Sequence, residues 1–364
     1  MKKINRAVLL ALVVCLGLLV LPLAGCSNGS PGGSSGADNV VFKDSAGREV
    51  EVPAEITRIV PSGPLAQIVL FSLAPDLLVG LSNRWDAAAE KYIDTAYLDL
   101  PMLGQFYGGK GELSLEEIVK ADPQVIIDVG EPKSSIIEDM DGITEQVGIP
   151  AVHITATLEN MGEAYRKLGT LLGKEAEAEV LASYCEDVYT NAQNIMKKVG
   201  ADGKVGLIYC TGDDGLNVIA RGSFHAEVID LLGNNVAVVE DISSKGTGNP
   251  VDLEQILLWD PAAIIFSPDS VYAKVADDRA WQDLRAIKEG RYYEVPDEPY
   301  NWMGFPPSIN RFMGMLWMLQ LLYPDEAGCD LQEETVKFYD LFYHCTLSEQ
   351  QYKDLMARSI LKDR

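Results

Sequence analysis

Leu113-Ser114-Leu115-Glu116-Glu117-Ile118-Val119-Lys120-Ala121-Asp122-Pro123-Gln124-Val125-Ile126-Ile127 returns later in the chain in altered form. The second copy is Val251-Asp252-Leu253-Glu254-Gln255-Ile256-Leu257-Leu258-Trp259-Asp260-Pro261-Ala262-Ala263-Ile264-Ile265. Each copy holds a helix start, a short helix, an Asp-Pro stop and an apolar strand. Ser114 with Glu117, and Asp252 with Gln255, have the spacing of a capping box. Proline after Asp122 and Asp260 ends each helix, because the residue before proline avoids helical angles. A plan used twice predicts two related halves.

Short apolar runs bounded by Pro, Gly or Asp surround the first copy: Ile56 to Val60, Leu77 to Leu81, Val125 to Val129 and Ala151 to Ile154. They read as buried strands. Helix-like segments lie between them, near 65–73, 115–120 and 134–147. After Lys204 the pattern restarts, with strand-like runs at 205–209, 218–220, 237–239 and 264–267 and helix-like runs at 224–232 and 253–258. Such alternation predicts parallel sheets covered by helices. The fold class is therefore α/β, with two Rossmann-like lobes.

Between the halves, Lys174 to Val199 contains no proline and is rich in Ala, Glu and Lys. Val180, Tyr184, Val188, Ala192 and Ile195 recur every three or four residues, which predicts a single long amphipathic helix of about 38 Å. A stiff connection of this kind permits small hinge changes rather than wide closure.

The chain opens with Lys2, Lys3 and Arg6, then an apolar stretch from Ala7 to Leu21, then Leu23-Ala24-Gly25-Cys26. A basic start, an apolar middle and small residues before a cut form a secretory signal. The cysteine just after the cut resembles a bacterial lipoprotein signal, which makes Cys26 the lipidated first residue. The apolar run is shorter than the roughly 20 residues of a spanning helix. Residues 27–39 are mostly Gly, Ser, Asn and Pro, the composition of a flexible linker. The expected organisation is a signal peptide over 1–25, a tether over 26–39, an N-terminal lobe over 40–172, the linking helix over 173–199 and a C-terminal lobe over 200–364. Lipid would hold the mature protein on the extracytoplasmic face of a membrane; a Gram-positive surface and a periplasm both fit.

A formal net charge of −24 repels nucleic acid and anionic headgroups, so no nucleic-acid partner is expected. It leaves room for an anionic small ligand in a local basic pocket. A hydrophobic content of 47% suits a chain with a real core. Of the cysteines beyond Cys26, Cys329 and Cys345 flank one helix-like segment and either pair or stay isolated; no C-x-x-C occurs.

The opening Val41-Phe42-Lys43-Asp44-Ser45-Ala46-Gly47-Arg48-Glu49-Val50-Glu51-Val52-Pro53, with Arg58-Ile59-Val60, resembles the start of helical-backbone (class III) substrate-binding lipoproteins of ABC importers. Further resemblance lies in both Asp-Pro motifs, the linking helix, Arg221-Gly222-Ser223-Phe224-His225-Ala226-Glu227, and Pro306-Pro307-Ser308-Ile309-Asn310-Arg311 leading into Gly314-Met315-Leu316-Trp317. It spans about residues 40 to 360. Members of this family collect iron–siderophore, haem, cobalamin or, in some cases, molybdate. The resemblance implies a ligand cleft between two lobes, an ABC permease and its ATPase as partners, and no catalysis or cofactor. The expected cargo is an iron(III)-siderophore-type chelate; cobalamin, haem and molybdate are the alternatives, with a surface hydrolase or sensory lipoprotein as rivals from other classes.

On that resemblance the ligand loops fall at 61–64, 83–86, 106–110, 130–133, 211–214, 267–269 and 301–303, with Arg221. Trp85, Phe106, Tyr107 and Trp302 would offer flat apolar faces, and Arg84, Lys110, Lys133, Arg221 and Arg311 positive charge. An aromatic, cationic cleft suits a bulky anionic chelate. The expected ligand residues are Arg84, Trp85, Tyr107, Lys110, Arg221, Trp302 and Arg311. Family members dock to the permease through one exposed Glu on each lobe. Glu227 matches the second-lobe position, whereas the first-lobe position falls on Gln67, which lacks the charge.

Gly104 to Gly111 nearly matches a phosphate-binding loop, but Gly111 replaces the Ser or Thr that follows the lysine. Three histidines, His153, His225 and His344, are few for a zinc or manganese receptor, and no metal site is expected. His153 reads as structural, while His225 sits beside the expected cleft.

Overall fold

The computed structural model describes residues 39–106, 113–268 and 270–360. Cys26, Tyr107, Lys110, the signal segment and nearly all of the tether lie outside the described residues. The first half opens with the hairpin β1 (Asn39–Lys43) and β2 (Glu49–Pro53). Then come β3 (Ile59–Pro61), α1 (Pro64–Leu73), α2 (Thr95–Leu98), α3 (Leu115–Ala121), β4 (Val125–Gly130), α4 (Ile136–Val147), β5 (Ala151–Thr155) and α5 (Met161–Leu172). Strands β3, β4 and β5 form a parallel sheet, with Ile59 opposite Val125 and Ile127 opposite Val152. The expected strand at 77–81 is reduced to single bridges, Leu78 to Ile59 and Leu81 to Met102.

The second half contains β6 (Gly206–Thr211), β7 (Asn217–Val218), α7 (Glu227–Leu232), β8 (Asn234–Asn235), β9 (Asn249–Pro250), α8 (Leu253–Trp259), β10 (Ala263–Phe266), α9 (Arg285–Lys288) and β11 (Tyr292–Glu294). Strands β11, β10, β6 and β8 run parallel; β7 and β9 add antiparallel pairs. The expected strand at 237–239 does not form. Its place beside β6 is taken by Asn234 and Asn235.

The repeated motif adopts one geometry twice. Ser114 caps α3 by accepting from Glu117 N–H, and Asp252 caps α8 by accepting from Gln255 N–H. Both helices stop at an aspartate with positive φ, 46° at Asp122 and 42° at Asp260. Each aspartate sits left-handed rather than extended before its proline, a conformation that a short polar side chain tolerates. Each strand that follows, β4 and β10, is fully buried.

The linking helix α6 runs over Glu175–Gly203, with Gly200 outside helical geometry at φ 70° and ψ 171°. Continuous helix therefore ends at Val199. Its buried face is Ala178, Leu181, Ala182, Tyr184, Cys185, Val188, Ala192, Ile195 and Met196. Val180, read as part of that face, is 53% exposed; the apolar stripe begins at Ala178 and Leu181 instead.

The C-terminal helices α10 (Asn310–Leu322), α11 (Pro324–Ala327), α12 (Leu331–Tyr343) and α13 (Glu349–Met356) complete the chain. They do not stay on the second lobe. Phe342 of α12 meets Tyr165 of α5 and Tyr184 of α6, at 6.1 and 5.5 Å between ring centroids. His344 Nε2 lies 3.3 Å from Phe71 O of α1. Tyr92 donates to Glu298 at 2.5 Å, and Lys91 pairs with Glu298 at 2.8 Å. One apolar core thus runs from Val52 through α6 to Met356. Wide closure would tear that core. Small-angle scattering of loaded and stripped protein should show nearly equal radii of gyration; a large contraction on loading would contradict a rigid core. Cys329 and Cys345 remain free thiols and do not pair.

Candidate functional site

The ends of the parallel strands place the site, as in α/β sheets generally. β3 runs into Ser62-Gly63 and then α1, and β4 runs into Glu131 and Lys133. From the second lobe, Phe224, His225, Ser244 and Pro307 face them. These residues help line an open cavity of about 230 Å³ whose walls come from both halves of the chain. Leu65 and Ala66 line it with the first turn of α1, ahead of the first helical hydrogen bond, Gln67 N–H to Gly63 O at 2.9 Å. A helix start offers backbone N–H groups and the positive end of the helix dipole to an anion.

Titratable groups of both signs surround this helix end. Lys133, Glu131, Asp128 and His225 all line the cavity. His225 Nδ1 lies 2.8 Å from Gly304 O, where the ring nitrogen donates. Burial holds the His225 pKa below its usual range, although the Gly304 carbonyl opposes the shift. On the first-lobe wall, Ser62 Oγ donates to Asp128 Oδ1 at 2.5 Å. Asp128 Oδ2 lies 2.7 Å from His153 Nδ1, and His153 Nε2 lies 3.1 Å from Thr155 Oγ1. His153 is fully buried in this network.

Several expected ligand residues are elsewhere. Trp85 is buried against Phe71, ring centroids 5.1 Å apart, and donates its indole N–H to Tyr97 O at 3.0 Å. Trp302 is fully buried in the common core. Neither lines the cavity, because in both the large apolar surface gains more from packing than from a wet cleft. Arg221 is tied at the lobe edge, with Nε to Asn235 O at 2.6 Å and Nη2 to Asn234 Oδ1 at 2.8 Å. Arg84 is exposed and does not line the cavity.

Arg311 is also fully buried. It forms an ion pair with Glu227 through Nη1, and its guanidinium lies 4.8 Å from the Phe224 ring centroid. Burial lowers its pKa, and the Glu227 charge opposes that shift. Arg311 therefore supports the cavity wall from behind through Phe224. Glu227 keeps 26% of its side chain exposed beside a second surface hollow that also contains Phe224.

Gln67 has no surface to offer a partner, being 1% exposed. Its Oε1 accepts from Ser82 N–H at 2.8 Å, Ser82 Oγ at 3.0 Å and Asn83 N–H at 3.2 Å. Asn83 in turn accepts from Gln105, a cavity residue, at 2.9 Å. Gln67→Leu should cost about 1–3 kcal/mol by stranding these donors, and a denaturant titration would measure it.

A family model described as periplasmic binding protein matches residues 86–299. The chain belongs to the periplasmic binding protein family. No curated protein matches it. Among solved structures, this periplasmic binding protein is similar to an ABC transporter solute binding protein from Sulfurospirillum deleyianum. The identity is 28%, with a TM-score of 0.80, covering 87% of this chain and 99% of the other. A periplasmic solute binding protein from Veillonella parvula is 25% identical, with a TM-score of 0.70 over 88% of this chain and 98% of its own. A molybdate periplasmic binding protein from Haemophilus influenzae, solved with molybdate, shares the fold at 19% identity and a TM-score of 0.65, covering 85% of this chain and 99% of its own. Among the described residues of this binding protein, no helix is long and apolar enough to cross a membrane.

The cavity residues Ser62, Gly63, Lys133 and His225 all fall in or beside loops marked from the sequence. The α1 backbone was not among the expected ligand groups. Its only sequence signal is Gly63-Pro64, a small residue followed by proline at the first helical position.

Proposed function

We propose that this chain is the lipid-anchored, extracytoplasmic receptor of an ABC importer, delivering its cargo to a permease driven by an ATPase. Its cargo is a compact anion, an oxyanion or a small anionic metal chelate. The supporting observation is the cavity between the lobes, where the first turn of α1, Lys133 and His225 converge. About 230 Å³ is below the roughly 300–1,000 Å³ of pockets for drug-sized molecules. That size favours a compact cargo over haem or a corrinoid. The burial of Trp85 and Trp302 removes two of the aromatic faces on which a bulky siderophore was expected to stack. An oxyanion therefore stands ahead of a siderophore, and a small iron(III) chelate stays second because Phe224 and Pro307 give one wall an apolar surface.

Thermal-shift and calorimetric titration with molybdate, phosphate, ferric citrate, haem and cobalamin test the cargo class. A compact anion at 100 times its Kd should add about 2.7 kcal/mol of stability. Binding of haem or cobalamin in preference to every compact anion would overturn this reading. Cys26→Ala should move the protein from the membrane fraction to the soluble fraction; full retention in the membrane would overturn the anchor. Glu227, with its partly exposed carboxylate, is the second-lobe docking candidate, and Gln67 is withdrawn from that role.

A further inference from the structure

The wall formed by Ser62 and Asp128 has a hydrogen-bonding direction. Ser62 N–H is committed to Ile127 O at 3.0 Å. Its hydroxyl is 2.5 Å from Asp128 Oδ1. An ionised carboxylate only accepts, so the hydroxyl proton points at Asp128 and Ser62 Oγ turns lone pairs to its other side. Asp128 is held in this role from behind. His153, fully buried, places Nδ1 2.7 Å from Asp128 Oδ2, and its Nε2 meets Thr155 Oγ1 at 3.1 Å. His153 thereby fixes the position of the Asp128 carboxylate behind the wall.

The cavity is therefore two-faced. The first turn of α1 offers N–H donors, and the Ser62–Asp128 wall offers acceptors and negative charge. We propose that Ser62 and Asp128 are specificity-determining residues, selecting a ligand that brings a hydrogen-bond donor to this wall, such as an oxyanion that retains a proton. The proposal rests on the reading that the cavity takes a compact oxyanion. A proton-bearing oxyanion accepts from the α1 amides with its bare oxygens and donates to Ser62 Oγ or Asp128 with its O–H. A fully deprotonated one sets an acceptor against acceptors and charge against like charge at this wall. His153 acts through Asp128 and is a positioning residue.

The test uses tetrahedral probes. Phosphate and arsenate retain a proton near neutral pH; molybdate and sulfate do not. Calorimetry on the purified protein should give phosphate or arsenate an advantage of about tenfold or more over molybdate and sulfate. Asp128→Asn removes the charge and adds a donor, so the preference should collapse or reverse. Ser62→Ala, a smaller change, should narrow it in the same direction and covers the case in which Asp128→Asn fails to fold. A wild-type preference for molybdate or sulfate, or a ratio unchanged in both variants, would overturn the selectivity while leaving the oxyanion reading intact. Failure of all four probes to bind either wild type or variants would overturn the oxyanion reading and the selectivity with it.

Discussion

Trp302→Ala should lower stability by about 3–5 kcal/mol, the range for truncating a large buried aromatic residue, and should leave affinity for any cavity ligand unchanged. Trp302 is fully buried and belongs to the core that joins both lobes. Its backbone is pressed close to α10, where a side chain added at Gly314 would run into the Trp302 carbonyl. A cavity left by the lost indole cannot be refilled by α10 without moving the long helix it packs on. Denaturant unfolding followed by fluorescence would measure the loss. A variant with normal stability and weakened ligand binding would instead place Trp302 in the cleft.

Arg311→Met should cost about 3 kcal/mol. Removing one partner of a buried pair costs roughly 3–5 kcal/mol because the other charge is left uncompensated. The low end applies because 26% of the Glu227 side chain stays in contact with water, whereas Arg311 has no exposure at all. The second change Glu227→Gln should restore part of the loss, since it removes the orphaned charge. The same pair supports Phe224, so the single variant should also weaken ligand binding, through the wall rather than through direct contact. If the double variant is as unstable as the single one, the pair does not carry the energy assigned to it.

The two-lobe plan was legible because it is written in local chemistry. Ser114 and Asp252 are N-caps, and Asp122-Pro123 and Asp260-Pro261 are stops; each acts within one helical turn. The linking helix was legible because nothing in 174–199 interrupts it. What sequence could not show was the direction of side chains that local rules leave open. Trp85 sits in a polar loop and reads as a ligand face, yet it turns inward because Phe71 offers its ring an edge contact at 5.1 Å and Tyr97 O accepts its indole N–H at 3.0 Å. Gln67 aligns with a docking position, but the amides of Ser82 and Asn83 need an acceptor and take it. The return of α12 and α13 onto the first lobe depends on contacts hundreds of residues apart, such as His344 with Phe71, which no local pattern encodes. The α1 amides were missed because backbone N–H groups carry no residue letter.

On the proposed function, the cavity at the start of α1 holds the cargo of an importer. Gly63 offers a direct way to fill that cavity without disturbing the fold. Its backbone is extended, with φ −165° and ψ −178°, which any residue adopts, and a Cβ there would meet no described atom within 4 Å. Gly63→Leu should therefore place a side chain at the cavity while the melting temperature of the ligand-free protein stays constant. Calorimetry of wild type and Gly63→Leu, with the compact anion that wild type binds best, decides the matter. Affinity should fall by about a hundredfold or more, roughly 2.7 kcal/mol; unchanged affinity in a normally folded Gly63→Leu protein would contradict a cargo site at the start of α1.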